Sequence, residues 1–357
     1  MNVLVLGEAR SIHQQRIAGA LAARGHEITF VTFAPALLPG IEVIDLADGS
    51  GSVPFLRFMR KVRRLRSLIR DRRIDVLHAH YISVYGLLAA LAGPVPKILT
   101  VHGSDVLLAR RTRYNRAVMR FVARRMDGFT SPAPHVTEAL FLLGAEAGRI
   151  ATFQYGVDCR RFHPRLAPRR GDETLKIIST RSLEPLYRVE LLLMALSRMA
   201  CGNRLRTVIA GEGAEAEPLA QLAWSLQLED EVAFTGSLDE DGVAGALREA
   251  DLYVSTSPTD GASLSLLEAM ATGLLPIAPD IPANREWIRH AENGLLYRPG
   301  SPDALAEAIA SGLHEGALRE KARTENPAII RDRADFGVGI RRLAEILENA
   351  VEGRGSR

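Results

Sequence analysis

"DGASLSLLEAMATG", residues 260–273, joins a turn to a nearly apolar helix, which is the repeating unit of a parallel α/β fold. Asp260 follows a strand-like run and a Ser-Pro pair, and the pattern predicts a helix that begins near Ala262 and ends at Gly273. The free amides at such a helix start attract phosphate. Glu268 lies among the apolar positions, and a buried carboxylate requires polar partners.

A ribose would supply such partners to Glu268, because it offers two adjacent hydroxyl donors that one carboxylate can accept together. The stretch therefore predicts a site for a phosphorylated nucleoside. The alternative is a purely structural role, in which Asp260 caps the helix and an arginine satisfies Glu268.

Outward from this unit, short apolar runs alternate with helical patterns along most of the chain, which predicts parallel sheets covered by helices. Residues 161–172 carry two prolines and no periodicity, and we interpret them as a linker. We expect a Rossmann-like domain over 1–165, a second over 166–334, and a last helix of about 335–357 that packs back on one of them. Ten runs are predicted as strands: NVLVLG, EITFVTF, DVLHAH, KILTVHG, LKIIST, RTVIAGEG, EVAFTG, DLYVSTS, LLPIAP and GLLYRP.

The composition is typical of a globular protein of two domains, with 357 residues and a mass of 39.0 kDa. Cys159 and Cys201 are the two cysteines, which excludes a disulfide framework and favours a reducing compartment. The longest apolar run is broken by prolines and a lysine, which argues against a membrane-spanning helix. Without a signal-peptide pattern at Met1, we expect a cytoplasmic protein, at the inner face of the membrane if it binds lipid.

Charge is distributed unevenly along the chain. Residues 1–170 contain 26 Lys and Arg against 12 Asp and Glu, a net charge of +14, whereas the remainder carries −11. The densest stretch is a basic amphipathic helix predicted over 55–73, which either lies on anionic lipid headgroups or is a solvated helix face. Nucleic acid is not an expected partner, because no recognised reading module accompanies the charge.

Polar residues recur where predicted strands end. In open α/β sheets, ligands bind outside the carboxyl ends of the strands, so two facing sheets would bring these residues into one cleft between the domains. The set comprises Gly7, His80 and His102 in the first half and Arg181, Gly211 and Asp260 in the second.

Other candidates carry a structural alternative of equal or greater weight. Glu8 and His13 lie in the first strand-to-helix loop, where an acceptor could enter, but surface capping explains them as well. His80 belongs to an His-Ala-His run that resembles a metal site, yet no third ligand follows at a usual spacing, so packing or substrate contact is favoured. The run "DED" at 239–241 is better explained by a capping box that starts at Ser237. No metal site is predicted.

The sequence resembles the retaining glycosyltransferases of family 4, also called glycosyltransferase group 1, from residue 1 to about 315. The family pattern of two acids separated by seven residues and followed by Ala-Met-Ala-x-Gly matches residues 260–273, with Asp260 in place of the first glutamate. Further matching runs, in order along the chain, are RGHEITFVT, TVHGSD, YGVDCRRFHP, IAGEG, VAFTG and NGLLYRPG. The resemblance implies the GT-B fold, in which two Rossmann-like domains face each other.

The resemblance also implies an activity: transfer of a sugar, with retention, from a nucleotide-sugar donor to an acceptor hydroxyl of a lipid-linked glycan, polysaccharide or glycolipid. It assigns the diphosphate to Arg181, the ribose to Glu268 and the sugar to Asp260 and His102. No metal and no cofactor are required. Donor contacts are further expected at Gly7, Arg188, Gly211, Gly261, Ala262, Ser263, Leu264 and Ser265, and acceptor-side contacts at Glu8, His13 and His80.

The chain departs from the family pattern at several of these positions. Tyr187 occupies the place of the usual lysine, with Arg188 beside it as a substitute cation, and Tyr155 replaces an asparagine. Gly7 is followed by Glu8 where the family has paired glycines. Two alternative functions therefore stay open: a nucleotide-sugar epimerase of the same fold, and a non-catalytic membrane-surface protein with a vestigial nucleotide site.

Overall fold

The computed structural model describes residues 1–47, 54–107, 112–165, 174–199 and 205–355. The chain divides into two units, Met1–Tyr155 together with Gly337–Arg357, and Gly156–Phe336. The division predicted at residue 165 thus falls ten residues inside the second unit. Cys201 and most of the predicted linker lie outside the described residues.

The first unit is built on a parallel sheet of seven strands among the described residues, in the order β3-β2-β1-β4-β5-β6-β7. Its strands are β1 (Asn2–Leu6), β2 (Glu27–Thr32), β3 (Glu42–Asp45), β4 (Val76–His80), β5 (Lys97–Thr100), β6 (Gly128–Ser131) and β7 (Ile150–Thr152). Its helices are α1 (Ile12–Ala22), α2 (Pro54–Asp71), α3 (Val84–Ala90), α4 (Ser104–Leu107), α5 (Arg113–Ala123), α6 (Pro134–Leu142) and, at the end of the chain, α14 (Phe336–Gly355).

The second unit repeats this plan with a parallel sheet of six strands among the described residues, in the order β10-β9-β8-β11-β12-β13. Its strands are β8 (Leu175–Thr180), β9 (Leu205–Ala210), β10 (Val232–Gly236), β11 (Leu252–Val254), β12 (Leu275–Pro279) and β13 (Leu295–Tyr297). Its helices are α7 (Glu190–Leu196), α8 (Ala216–Ser225), α9 (Glu240–Glu249), α10 (Leu264–Ala271), α11 (Pro282–Arg285), α12 (Pro302–His314) and α13 (Gly316–Arg333).

Both sheets have their switch point beside their first strand, where the strand order reverses. In the first unit the switch lies between β1 and β4, and in the second between β8 and β11. A doubly wound sheet binds ligands outside the carboxyl ends of the strands at this point, because the loops of its two halves diverge there and leave a crevice. At the first switch, Gly7 directly follows β1 and His80 ends β4, and at the second Arg181 directly follows β8.

The central strands form because they are continuous buried runs rich in Val, Ile and Leu, as expected for sheets covered on both faces. Leu4, Leu6 and Leu77 in the first unit and Ile177 and Leu252 in the second are completely buried. All ten strands predicted from such runs are present. Strands β3, β6 and β7 were not predicted.

Two helix starts differ from the predicted ones. Helix α10 begins at Leu264, with Ser263 as its N-cap, rather than near Ala262. Helix α9 is capped by Asp239, whose side chain accepts the backbone N–H of Gly242, so the capping box predicted at Ser237 is wrong. In both cases a short polar side chain satisfies an amide of the first turn.

The basic amphipathic helix predicted over 55–73 is α2. Val62 and Leu65 on one face are buried, whereas Phe55 and Leu56 near its start are largely exposed. In the described part of the chain, no helix combines the length and the apolar character that a membrane span requires.

Candidate functional site

Arg181 is the centre of a polar cluster at the second switch point. Its Nη1 donates to Ser263 Oγ at 2.8 Å and to Ser265 Oγ at 3.2 Å, and its Nη2 donates to Asp260 Oδ2 at 2.9 Å. The Arg181 side chain is only 10% exposed and that of Asp260 only 17%. The guanidinium thereby joins the end of β8 to the start of α10. We call Arg181, Asp260, Ser263 and Ser265 the arginine cluster.

The start of α10 contributes both serines of the arginine cluster because of its capping. Ser263 Oγ accepts the backbone N–H of Leu266 as the N-cap and also receives Arg181. Tyr253, buried at the centre of β11, donates its hydroxyl to Ser265 Oγ at 2.9 Å. Glu268 lies one turn further along α10 and is partly buried.

An aromatic ring covers the guanidinium of Arg181. The ring of Tyr187 lies 4.2 Å from the central carbon of that guanidinium, a distance typical of a cation–π contact. The backbone carbonyl of Tyr187 accepts the hydroxyl of Thr256 at 2.7 Å. Arg188 adopts a left-handed backbone conformation and pairs its guanidinium with Glu190. At the position where the family has a lysine, this chain therefore has an aromatic ring that lies against Arg181. The donor contact expected at Arg188 stays a prediction.

Arg181 stays positively charged although its side chain is buried. Burial alone would lower the pKa of Arg181, but the neighbouring Asp260 carboxylate raises it, and the net shift is upward. A guanidinium that is buried, permanently charged and held at three oxygen atoms is a preorganised site for anionic oxygen.

Gly211 supports the Arg181 segment from β9. A Cβ atom at Gly211 would lie 2.0 Å from the carbonyl oxygen of Arg181, so no other residue can pack there without displacing that backbone. Leu183 N–H donates to the carbonyl of Glu212 in the same loop at 2.8 Å. The structure therefore gives Gly211 a role in positioning Arg181, and direct donor contact by Gly211 stays a prediction.

Histidines form a second cluster, at the switch point of the first unit. His80 Nδ1 lies 3.1 Å from His102 Nε2, and the ring of Tyr81 lies 4.4 Å from that of His102. Asp105 accepts the backbone N–H groups of Ile82 and His102, which ties the loop after β4 to the loop after β5.

A hydroxyl network lies next to this pair. His78 Nε2 lies 2.7 Å from Thr100 Oγ1, and the hydroxyl oxygens of Thr100, Thr130 and Tyr155 lie 2.7–2.8 Å from one another. The ring of His78 lies 4.5 Å from that of His80. Tyr155, which replaces the family asparagine, therefore joins β5 and β6 through its hydroxyl. The residues His78, His80, Tyr81, His102, Thr100, Thr130 and Tyr155 are called the histidine cluster below.

The imidazoles of the histidine cluster are neutral at neutral pH. Burial lowers the pKa of His78 to about 3, that of His102 to about 4, and that of His80 well below its usual range. Because the histidines also repel one another's charge, protonation of any one of them disfavours protonation of the rest.

Gly7 ends β1 against the same cluster. A Cβ atom there would lie 2.0 Å from Gln14 Oε1 and 3.3 Å from the Cβ of His80. A larger residue at position 7 would therefore clash with the side chain of Gln14. That Gln14 oxygen accepts the backbone N–H of Glu8 at 2.8 Å. His13 lies exposed in the first turn of α1. The structure does not test the donor role of Gly7 or the acceptor roles of Glu8 and His13, which stay predictions.

Two family models together cover most of the chain. The model of Glycosyltransferase Family 4 matches residues 11–161, and that of Glycosyl transferases group 1 matches residues 165–328. The chain belongs to the family 4, group 1 glycosyltransferases. The resemblance read from the motifs is thereby confirmed.

Individual proteins are similar to this glycosyltransferase over nearly its full length. The phosphatidyl-myo-inositol mannosyltransferase of Mycobacterium leprae is 28% identical over 95% of this chain and 92% of its own. The sucrose-phosphate synthase of Thermosynechococcus elongatus superposes with a TM-score of 0.84 at 19% identity, over 99% of both chains. HepE from Anabaena, solved in complex with UDP-glucose, superposes with a TM-score of 0.82 at 18% identity, over 98% of this chain and all of its own. The two structures show that the glycosyltransferase has the GT-B fold.

The predicted site residues form two separate groups in the glycosyltransferase. Arg181, Asp260, Ser263 and Ser265 lie together, and His80 lies against His102. That the two groups share one cleft stays a prediction. Sequence reasoning did not find Gln14, Tyr81, Thr100, Thr130 or Tyr253. The available signal was that Thr100 ends β5 and that Tyr81 directly follows β4. Among the described residues, no group of three or more His, Cys, Asp or Glu side chains could hold a metal ion.

Proposed function

We propose that this glycosyltransferase transfers a sugar from a nucleotide-sugar donor to an acceptor hydroxyl, with retention of the anomeric configuration. The observation that carries the proposal is the arginine cluster at the second switch point, where Arg181 is held against the start of α10. A family 4 glycosyltransferase needs a site for a diphosphate, and this is a buried cationic site at the place where a doubly wound sheet binds ligands.

Arg181 acts on the leaving group. As the bond between the sugar C1 atom and the phosphate oxygen breaks, negative charge grows on the diphosphate. A fixed guanidinium and the amides at the start of α10 stabilise that growing charge more than they stabilise the bound donor, so they lower the barrier. The predicted amides are those of Gly261, Ala262, Ser263, Leu264 and Ser265.

Retention follows from attack on the face that the diphosphate leaves. The acceptor oxygen bonds to C1 while the C1–O(phosphate) bond breaks, and the acceptor hydroxyl proton passes to a phosphate oxygen of the leaving group. Glu268 accepts the two ribose hydroxyls, whereas Asp260 and His102 orient the sugar. The reaction requires no covalent carboxylate, no metal and no cofactor.

The similar proteins support the choice of substrates. HepE from Anabaena was solved with UDP and with UDP-glucose, which favours a nucleotide sugar as donor. The name of the mycobacterial mannosyltransferase points to a phosphoinositide acceptor, which favours a lipid-linked glycan or glycolipid over a soluble acceptor. A cytoplasmic enzyme at the inner face of the membrane fits this choice. In that case α2 provides the contact, because its arginines and the exposed Phe55 and Leu56 suit an anionic lipid surface.

The experiment that tests the proposal starts with a thermal-shift screen of common nucleotide sugars against the wild type and Arg181→Ala. We expect one donor to raise the melting temperature of the wild type and to act much less on the variant, since binding to the folded state stabilises it. NMR of the product formed from that donor, with EDTA present, then reads the anomeric configuration. An inverted product, or a reaction abolished by EDTA, contradicts the mechanism.

Donor incubated without acceptor separates transfer from epimerisation. A transferase leaves the sugar stereochemistry of the intact donor unchanged, whereas an epimerase converts it. Membership of the glycosyltransferase family favours the first outcome. Failure to bind any nucleoside diphosphate would instead favour the non-catalytic alternative.

A further inference from the structure

His80 and His102 form a hydrogen-bonded pair whose two members differ in access. His80 is completely buried, whereas His102 is partly exposed. His80 Nδ1 and His102 Nε2 are 3.1 Å apart, so one proton lies between the two rings. Among the described residues, the other nitrogen of His80, Nε2, is buried and has no hydrogen-bonding partner.

Counting protons decides which ring donates. Both imidazoles are neutral, so each carries a single N–H. If His102 donated to His80 Nδ1, then His80 would carry its own proton on Nε2, as a buried N–H without a partner. If instead His80 donates from Nδ1, its Nε2 carries a lone pair that accepts no hydrogen bond. Buried N–H groups without partners are rarer than under-used acceptors, and this favours His80 as the donor.

The same proton count can be made for the neighbouring histidine, His78. The three hydroxyls of Thr100, Thr130 and Tyr155 contact one another pairwise and have three protons for their three mutual hydrogen bonds. Thr100 then has no proton for His78 Nε2, so that nitrogen donates to Thr100 Oγ1. The unpartnered nitrogen of His78, Nδ1, is again a lone pair and not an N–H.

Tyr81 fixes the plane of the His102 ring. Its backbone has a φ of +65°, a left-handed conformation that costs a bulky residue on the order of 1 kcal/mol or more. This conformation occurs directly after β4, and the Tyr81 ring lies 4.4 Å from that of His102, tilted by 35°. His80 and Tyr81 are consecutive, and both side chains contact the same imidazole.

We propose that His80 and Tyr81 are positioning residues that hold His102 as the tautomer with its proton on Nδ1. His102 Nε2 is occupied by the N–H of His80, so Nδ1–H is the group that His102 offers to a ligand. The proposal rests on the proposed function in that the ligand is the donor sugar. A ligand group at Nδ1 must then present a lone pair, as a sugar hydroxyl or phosphate oxygen does, and His102 does not accept a proton at that atom.

The tautomer can be measured without any substrate. The full chain is labelled with ¹⁵N-histidine, and the ring nitrogens of His102 are assigned from the signals that His102→Gln removes. In the wild type we expect a protonated Nδ1 and an unprotonated Nε2. A protonated Nε2 on His102 in the wild type overturns the proposal.

Three variants separate positioning from packing. His80→Leu removes the donor at similar volume, and we expect His102 to shift to the Nε2–H form that an unconstrained imidazole prefers. His80→Asn returns an N–H donor near the place of Nδ1, and we expect it to restore the Nδ1–H form. The matched control is His78→Leu, which empties an equally buried site and should leave the His102 tautomer unchanged. An unchanged His102 in His80→Leu, or a shift in His78→Leu as well, contradicts the role of His80.

Activity supplies the last measurement. Once a donor is known, His80→Leu should lower kcat/KM for it by about tenfold, the worth of one hydrogen bond, and His80→Asn should recover most of this loss. Equal losses in both variants contradict positioning. If the tautomer is as proposed but no sugar is transferred, the proposed function fails and this inference stands. If the tautomer is reversed in an enzyme with full transfer activity, this inference fails and the proposed function stands.

Discussion

The arginine cluster and the histidine cluster both lie at the carboxyl ends of parallel strands, each including one strand beside the switch point of its sheet, yet they differ in charge. The first contains an ion pair between Arg181 and Asp260, and the second consists of neutral imidazoles and hydroxyls. In the proposed function, the fold specifies where each sheet binds a ligand, and the side chains specify which chemical group is bound there. A charged cluster suits a diphosphate, whereas a neutral cluster with directed donors and acceptors suits the hydroxyls of a sugar.

Burial has opposite consequences in the two clusters. It removes the charge from His78, His80 and His102, whose pKa values all fall. It does not remove the charge from Arg181, because the carboxylate of Asp260 compensates for lost hydration. We expect sugar transfer to depend on the charge of the arginine cluster and folding stability to depend on the neutrality of the histidine cluster. Each can be tested.

The largest expected effect is that of removing the cation. Arg181→Ala should lower kcat by about 10² or more, the loss seen when one preorganised donor is removed from a transition state. The measurement is steady-state transfer with the donor found in the screen. Arg198→Ala, which breaks an exposed pair with Asp303, is the matched control and should have little effect. Similar kcat values for the wild type and Arg181→Ala would show that transfer does not depend on the charge of the arginine cluster.

The neutrality of the histidine cluster predicts a loss of stability in acid. Between the ordinary histidine pKa near 6.5 and the lowered values of about 4 for His102 and 3 for His78, the unfolded chain binds more protons than the folded one. The free energy of unfolding should therefore decrease as the pH falls through this window, by up to about 1.4 kcal/mol per pH unit for each such histidine. Urea denaturation at pH 7 and pH 5 measures the decrease.

His78→Leu sharpens this test. The variant should be less stable at pH 7, but its decrease between pH 7 and pH 5 should be smaller than that of the wild type by the share of one histidine. Leu99→Ala, which truncates a completely buried apolar side chain in the same sheet, serves as the control and should leave the pH dependence unchanged. Parallel curves for His78→Leu and the wild type would mean that folding does not lower the pKa of His78.

Glu268→Gln should weaken the binding of the bare nucleoside diphosphate by about tenfold or more, because a hydrogen bond to a charged group is worth about 1.5–3 kcal/mol. Calorimetry with the nucleoside diphosphate measures this loss directly. The same substitution should alter kcat much less than the binding constant. An unchanged affinity would mean that Glu268 does not bind the ribose.

The smallest expected effect concerns the ring over Arg181. Tyr187→Ala should lower kcat/KM by roughly twofold to thirtyfold, which corresponds to a cation–π contact of about 0.5–2 kcal/mol. Tyr187→Phe keeps the ring face and should retain most of the activity. If Tyr187→Phe lost as much activity as Tyr187→Ala, the hydroxyl of Tyr187 and not its ring would be the important group.

The sequence predicted the parts of this molecule that depend on local patterns. Arg181, Gly211 and His80 were found because each ends or follows an apolar run that can be recognised as a strand, and strand ends are where a parallel sheet binds ligands. Strand β6 was missed because its residues, Gly-Phe-Thr-Ser, are too short and polar a run to be distinguished from a loop. The edge strands β3 and β7 are equally short.

The contacts between distant residues could not be predicted in this way. Tyr187 was recognised as a departure from the family lysine, but nothing local shows that its ring lies on Arg181. The left-handed backbone of Tyr81 has no signal either, because glycine and not tyrosine marks such a conformation in a sequence. Pairings of this kind depend on how the loops after separate strands meet, which only the folded chain determines.

Asp260 has a consequence for the end of the catalytic cycle. A nucleoside diphosphate is both a product and a strong ligand for a buried guanidinium, so an enzyme with a naked cation would be inhibited by what it makes. The carboxylate of Asp260, 2.9 Å from Arg181, is a resident anion that can take over the guanidinium as the product departs. In the proposed mechanism the enzyme thereby exchanges one anion for another at Arg181, and each turnover ends without exposing an uncompensated charge.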